Sequence, residues 1–288
     1  MTTTPAQLQA RAESALTGLP ALMLSAERLA ATVTAGAHGQ RRAGPGEDFW
    51  QYRPATQGDS ARSIDWRRSA RSDAQFVRDR EAERPQSAAL WVSAAAGMAC
   101  AGAGRPTKGA RADLLALALA MGLLAGGERV GLAGAAPRSG RLQAERIATA
   151  LLARAPLAQD EDAPPIDALR PGQRVVLFDD FLGDAQPVLD YLARAAAMGI
   201  RGALLQVLDP EEEEFPWSGA VLFRSASGAQ RHDTRDAGGL RAAYLARLAE
   251  RRALLSRAAL GAGWHFGSHV TAAAPAQALV WLWSVLEG

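Results

Sequence analysis

From Pro85 to the C-terminus the chain alternates short, unbroken apolar runs with longer stretches rich in Ala and Leu. SAALWVSAA, RVGLAGA, QRVVLF and RGALLQVLD read as strands, with shorter ones around GAVLFR and near GWHFG. ARADLLALALAMGLLAG, RLQAERIATALLARA, AQPVLDYLARAAAMG, the stretch from Gly238 to Leu260 and that from Pro275 to Leu286 read as helices. Strand runs with no polar face need cover on both sides, and their alternation with helices predicts parallel βαβ units. Upstream, residues 6–34 place Leu8, Ala12, Leu16, Leu22, Leu29 and Val33 among Arg and Glu, which suits amphipathic helices broken near Gly18 and Pro20. The expected organisation is an N-terminal helical segment (1–36), a charged segment (37–84) and a Rossmann-type α/β domain (85–288) with a mostly parallel sheet and helices on both faces.

The charged segment breaks this pattern. GPGEDFWQYRPATQGDSARSIDWRRSARSDAQFVRDREAE is too polar for a core, yet it is dense in Asp, Arg and Trp. FWQYRP and SIDWRR read as extended pieces around the turn TQGD, a β-hairpin extension. Trp50, Arg53, Asp59, Arg62, Asp65, Trp66, Arg67 and Arg71 are the candidate partner-binding residues, since aromatic surface and guanidinium forks anchor interfaces. The competing reading is that the Asp and Arg residues lock the hairpin onto the core by ion pairs.

Composition narrows the classes. Formal net charge is +2, and all basic charge is Arg except Lys108, the sole lysine. Between Arg41 and Arg84 ten Arg face eight carboxylates, so little field is left to attract phosphate and no nucleic acid is expected as a partner. The lone Cys100 permits no intramolecular disulfide and reads as a small core residue. With no signal-like start and no run near the roughly 20 apolar residues of a membrane span, no membrane insertion and a cytoplasmic location are expected.

The glycine-flanked acidic-aromatic entry, the G-D-x-x-R-x-I-D-W string at Gly58, Asp59, Arg62, Ile64, Asp65 and Trp66, the S-A-R at Ser69, Ala70 and Arg71, and the end at Val77, Arg78 and Glu81 together resemble the hallmark of the bacterial domain of unknown function 58 family. VVLFDDFL, LQVLDPEE and AAYLARLAE are similar to its later blocks. The resemblance implies a von Willebrand factor A-like core and, as partner, a MoxR-type AAA+ ATPase in a chaperone or maturation system. A-like domains often bind Mg²⁺ through D-x-S-x-S after the first strand; matching WVSAAAGMA to that loop puts Ser93, Ala95 and Gly97 at the ligand positions. One hydroxyl does not replace a carboxylate for a hard dication, so a degenerate site with no metal and no cofactor is expected.

Asp179 and Asp180, after QRVVLF, are the weak metal candidates and the seat of the alternative, a Mg²⁺-dependent ligand-binding or hydrolytic site; a helix cap or an ion pair with Arg is the plainer reading. GAGRPTKGAR lacks the Gly before and the Ser or Thr after Lys108 that a phosphate loop needs, which leaves Lys108 as a solvated residue opening a helix. Glu211 to Glu214 reads as a solvated loop. No nucleophile elbow or Cys/His pair is present, and the chain is read as a non-enzyme. Functional residues of open α/β sheets lie beyond the strands' carboxyl ends, here 93–108, 179–184 and 209–214.

Overall fold

In a computed structural model the described residues are 20–32, 51–54, 64, 66–69, 76–79 and 86–287. The chain divides into two compact units, residues 38–85 and the remainder.

The larger unit is built on five parallel strands. They are β3 (Ser87–Val92), β4 (Arg129–Leu132), β5 (Gln173–Asp179), β6 (Arg201–Leu208) and β9 (His265–Val270), in the order β4-β3-β5-β6-β9. Each interior run splits by the two-residue period of a strand. Val176 and Phe178 of β5, with Ala203, Leu205 and Val207 of β6, face one apolar layer. Val175, Leu177 and Leu204 face the other.

The first layer is completed by α3 (Lys108–Ala125), α4 (Arg141–Ala153), α8 (Pro275–Glu287) and α1 (residues 20–32), whose Ala26 and Leu29 are buried in it. The described part of the N-terminal helical segment thus packs into this layer through Ala26 and Leu29. The second layer is covered by α5 (Gln186–Ala197) and α7 (Arg241–Gly261), with Trp264 at its centre; its Nε1 donates to Ile200 O (2.8 Å) and its ring meets Tyr191 edge-on. Helices on both faces of a parallel sheet are the Rossmann-type α/β arrangement read from the sequence.

GAVLFR forms β7 (Val221–Arg224), which leaves the main sheet to pair antiparallel with β8 (Arg231–Thr234). Phe215, in left-handed backbone (φ 48°), stacks with Phe223 and Tyr244 beneath this hairpin. Cys100, expected in the core, is exposed. The loop after β3 turns outward at that point, through a 3₁₀ turn at Ala96–Ala99.

In the smaller unit β1 (Gln51–Pro54) pairs antiparallel with β2 (Phe76–Asp79), Tyr52 opposite Arg78 and Arg53 opposite Val77. The expected pairing of FWQYRP with SIDWRR is thus corrected, because Trp66–Ser69 forms a helical turn, α2. Phe76 and Val77 supply aromatic and β-branched strand formers, whereas WRRS has no β-branched residue and two good helix formers. Ser69 Oγ accepts from Phe76 N (2.9 Å), tying α2 to the strand that follows.

Candidate functional site

Three loops leave the carboxyl ends of neighbouring strands β3, β5 and β6, and charged side chains join them. Lys108 opens α3, whose N-terminus is capped by Thr107 Oγ1 accepting from Ala110 N (3.0 Å). Its side chain turns inward, placing Nζ 2.7 Å from Asp180 Oδ2 and 2.6 Å from Glu212 Oε1. Lys108 is 0% exposed, so the expectation of a solvated residue is overturned. Burial acts to lower its pKa, and the two carboxylates reverse this and raise it above the ordinary lysine value. The ammonium stays charged because two loops supply the acceptors that water would have given.

A second network lies beside it. Arg105 grips Asp209 with Nε on Oδ2 (3.0 Å) and Nη2 on Oδ1 (2.8 Å), a bidentate fork. Asp209 also accepts from Gly102 N (3.0 Å), from Thr271 Oγ1 (3.2 Å) and, as cap of α6 (Pro210–Glu214), from Glu211 N (3.0 Å). Burial would raise its pKa; the Arg105 and N–H bonds prevail and hold it at about 2. Asp209 N in turn donates to Glu212 Oε2 (3.0 Å), and with Pro210 at the first turn this capping box makes PEEEE helical. The acidic run is therefore not a solvated loop. Glu211 binds Arg105, Glu212 binds Lys108, and Glu213 binds Arg252.

Asp179 and Asp180 end β5 with opposite fates. Asp180 pairs with Lys108, where an arginine had been expected, and accepts from Leu182 N (3.0 Å) through Oδ1. Neither residue caps α5, whose N-cap is Ala185. Asp179 is 8% exposed, and its Oδ1 has no hydrogen-bond partner. Burial, then the charge of Asp180, push its carboxyl up to about 8; the Ser93 hydroxyl and the Asp180 and Phe181 N–H groups offset only part.

Gly97 shows how tightly the site is fitted. A Cβ there would lie 2.8 Å from Asp180 Oδ2 and 4.0 Å from Lys108 Nζ. Asp180 is held at both oxygens and has no room to yield, so Gly97→Ala is expected to lower stability by about 1–3 kcal/mol, read as a shift in the urea midpoint at unchanged slope.

The dication that an A-like loop would hold does not fit these residues. Ser93, Ala95 and Gly97 offer one buried hydroxyl, which accepts from Ala95 N (3.2 Å), and Asp180 already faces an ammonium. Among the described residues no three His, Cys, Asp or Glu side chains are grouped to take a metal ion.

The partner-binding candidates lie in the smaller unit. Trp66, 57% exposed, and Arg67, also exposed, stand on α2, and Arg53 is in β1. Trp50, Asp59, Arg62, Asp65 and Arg71 fall outside the described residues. The three loops chosen from the sequence do converge, and Arg105, Arg252 and Thr271 complete them.

Among the described residues no helix is long and apolar enough to cross a membrane. No protein of curated function matches the chain. Among solved structures, the conserved hypothetical protein BatB from Bacteroides thetaiotaomicron is similar at 15% identity, with a TM-score of 0.43, over 70% of this chain and 100% of that one. The family described as Protein of unknown function DUF58 matches residues 51–254, which include β1, the charged motif from Gln51 onward and all three loops of the site. With most of its length covered by that match, the chain belongs to the DUF58 family.

Proposed function

We propose that this protein is a non-enzymatic interaction module, an A-like α/β domain with a degenerate metal site that works with a MoxR-type AAA+ ATPase in chaperoning or maturation. The observation that carries this reading is the ion pairing that joins the three loops at the sheet's carboxyl edge. Lys108 answers Asp180 and Glu212, and Arg105 answers Asp209, so these carboxylates are committed to holding loops together. Chemistry at Asp179 and Asp180 would need a metal ion beside the pair, and the ammonium already seated on Asp180 would repel one.

Recognition is assigned to the charged unit, where Trp66 leaves more than half its surface in solvent on a turn flanked by Arg67. Exposed aromatic and guanidinium groups side by side are the composition of an interface anchor. Trp66→Ala is expected to change stability by less than about 0.5 kcal/mol, as exposed positions do. The same variant should reduce recovery of the AAA+ ATPase at least tenfold in a pull-down from the native host. Undiminished recovery, or no ATPase with the wild type, would remove the reading.

A further inference from the structure

The carboxyl end of β5 opens on its α5 side into a pocket of about 220 Å³ that the Lys108 network does not fill. Its walls come from the end of β5, the start of α5, α7 and the acidic connector at 159–163. Asp160, Glu161, Asp162, Asp179, Asp180 and Asp184 all line it, against a single arginine, Arg251. Four of these carboxylates are engaged within the protein: Asp160 by Ser227, Asp162 by Ala94 N, Asp180 by Lys108 and Asp184 by Gln186 N. Two polar atoms of the lining are buried without any hydrogen-bond partner, Asp179 Oδ1 and Arg251 Nη1. Asp179 is more than nine-tenths buried, so Oδ1 has lost water without making a hydrogen bond, and the Ser93 hydroxyl and the neighbouring N–H groups offset only part of that cost. The pocket's own cation leaves it unpaired.

Apart from Gln159, the rest of the wall is apolar, with Phe181, Pro187, Val188 and Leu255. Phe181 is buried and held at φ 50°, a left-handed backbone that a bulky residue seldom adopts. The volume is below the several hundred Å³ of a drug-sized ligand site and suits one extended side chain. Apolar walls take an aliphatic stem, and a rim and floor of carboxylates take a positive head.

We infer that this pocket binds an organic cation on an aliphatic stem, an ammonium or guanidinium group, with Asp179 and Glu161 as its acceptors. The charge balance of the lining sets the sign, and the unpartnered Asp179 oxygen marks where the head is received. A basic side chain of a partner protein and a free alkyl amine share this chemistry. For the first source alone the inference rests on the interaction reading above.

The test is calorimetry at pH 8 on the full chain with N-acetyl-lysine methylamide, 1,5-diaminopentane and, as neutral control, N-acetyl-norleucine methylamide. Either cation should bind and the neutral control should not. Binding of the lysine probe identifies a protein side chain as the source, and binding of the diamine alone identifies a free amine. Asp179→Asn should weaken binding at least tenfold while melting no lower than wild type, because the amide keeps an oxygen acceptor and cannot ionise beside Asp180. Arg251→Gln should tighten it by removing the competing positive charge.

Equal binding of the neutral probe, no binding at millimolar concentration, or an Arg251→Gln variant that binds cations more weakly would overturn the inference. Loss of ATPase recovery in Trp66→Ala leaves calorimetry untouched, so the two readings fail separately.

Discussion

Replacing Lys108 by methionine is expected to lower the unfolding free energy by about 3–5 kcal/mol. Methionine fills much of the same volume, so what is removed is the ammonium. Asp180 and Glu212 are then left facing each other with their shared partner gone, since both lie within 2.7 Å of Nζ. Removing one member of a buried ionic group leaves an uncompensated charge, and that penalty dominates over the lost attraction. The triple variant Lys108→Met, Asp180→Asn, Glu212→Gln should recover most of the loss, because a neutral amide pair needs no counter-ion. Urea denaturation of the two variants reads both steps, and equal stability of wild type and Lys108→Met would show that the network holds nothing together.

The share of stability that Asp179 contributes should fall as pH rises from about 4 to about 8, opposite to the usual effect of a paired carboxylate, while His269, lowered by burial to about 4, acts in the other sense over the lower part of that window. Asp179 has an ordinary value of 3.8 in the unfolded chain and about 8 in the fold. Over that window the folded protein keeps the proton and the unfolded chain has released it. The contribution is fully present below pH 4 and is lost as pH passes through 8. Its limiting slope is about 1.4 kcal/mol per pH unit. Asp209, held at about 2, acts in the other sense and below this window. Urea midpoints at pH 4.5, 6 and 7.5 should therefore converge between wild type and Asp179→Asn at low pH and separate at high pH, with the variant the more stable. Parallel curves would mean that Asp179 ionises normally.

Much of the larger unit was legible because each strand and helix announces itself locally. QRVVLF and RGALLQVLD have no polar face, so burial on both sides follows from the string alone, as does the placing of function at their carboxyl ends. What those ends do was not legible. Whether Lys108 is solvated or buried depends on Asp180 and Glu212, which are 72 and 104 residues away. No window of the sequence contains that pairing. The same distance hid the fate of PEEEE, a solvated run by composition, whose cap and ion pairs come from Arg105, Lys108 and Arg252.

The charged motif failed differently. The turn signal TQGD suggested a partner strand immediately after it, but the strand that pairs with β1 begins at Phe76, beyond α2. Turn chemistry says where a chain can reverse and leaves open which segment returns. The pocket under the connector was unreadable for a related reason: QDEDAPPIDALRPG reads as linker, and only folding brings Glu161 and Asp162 beside Asp179.

The only lysine of the chain is also one of its most deeply buried side chains. The folded surface thus offers no ε-amine at all. Acetyl transfer, ubiquitin attachment and amine-directed cross-linkers find no lysine to modify until the fold opens, and every positive charge that a partner meets on this protein's side chains comes from arginine or protonated histidine.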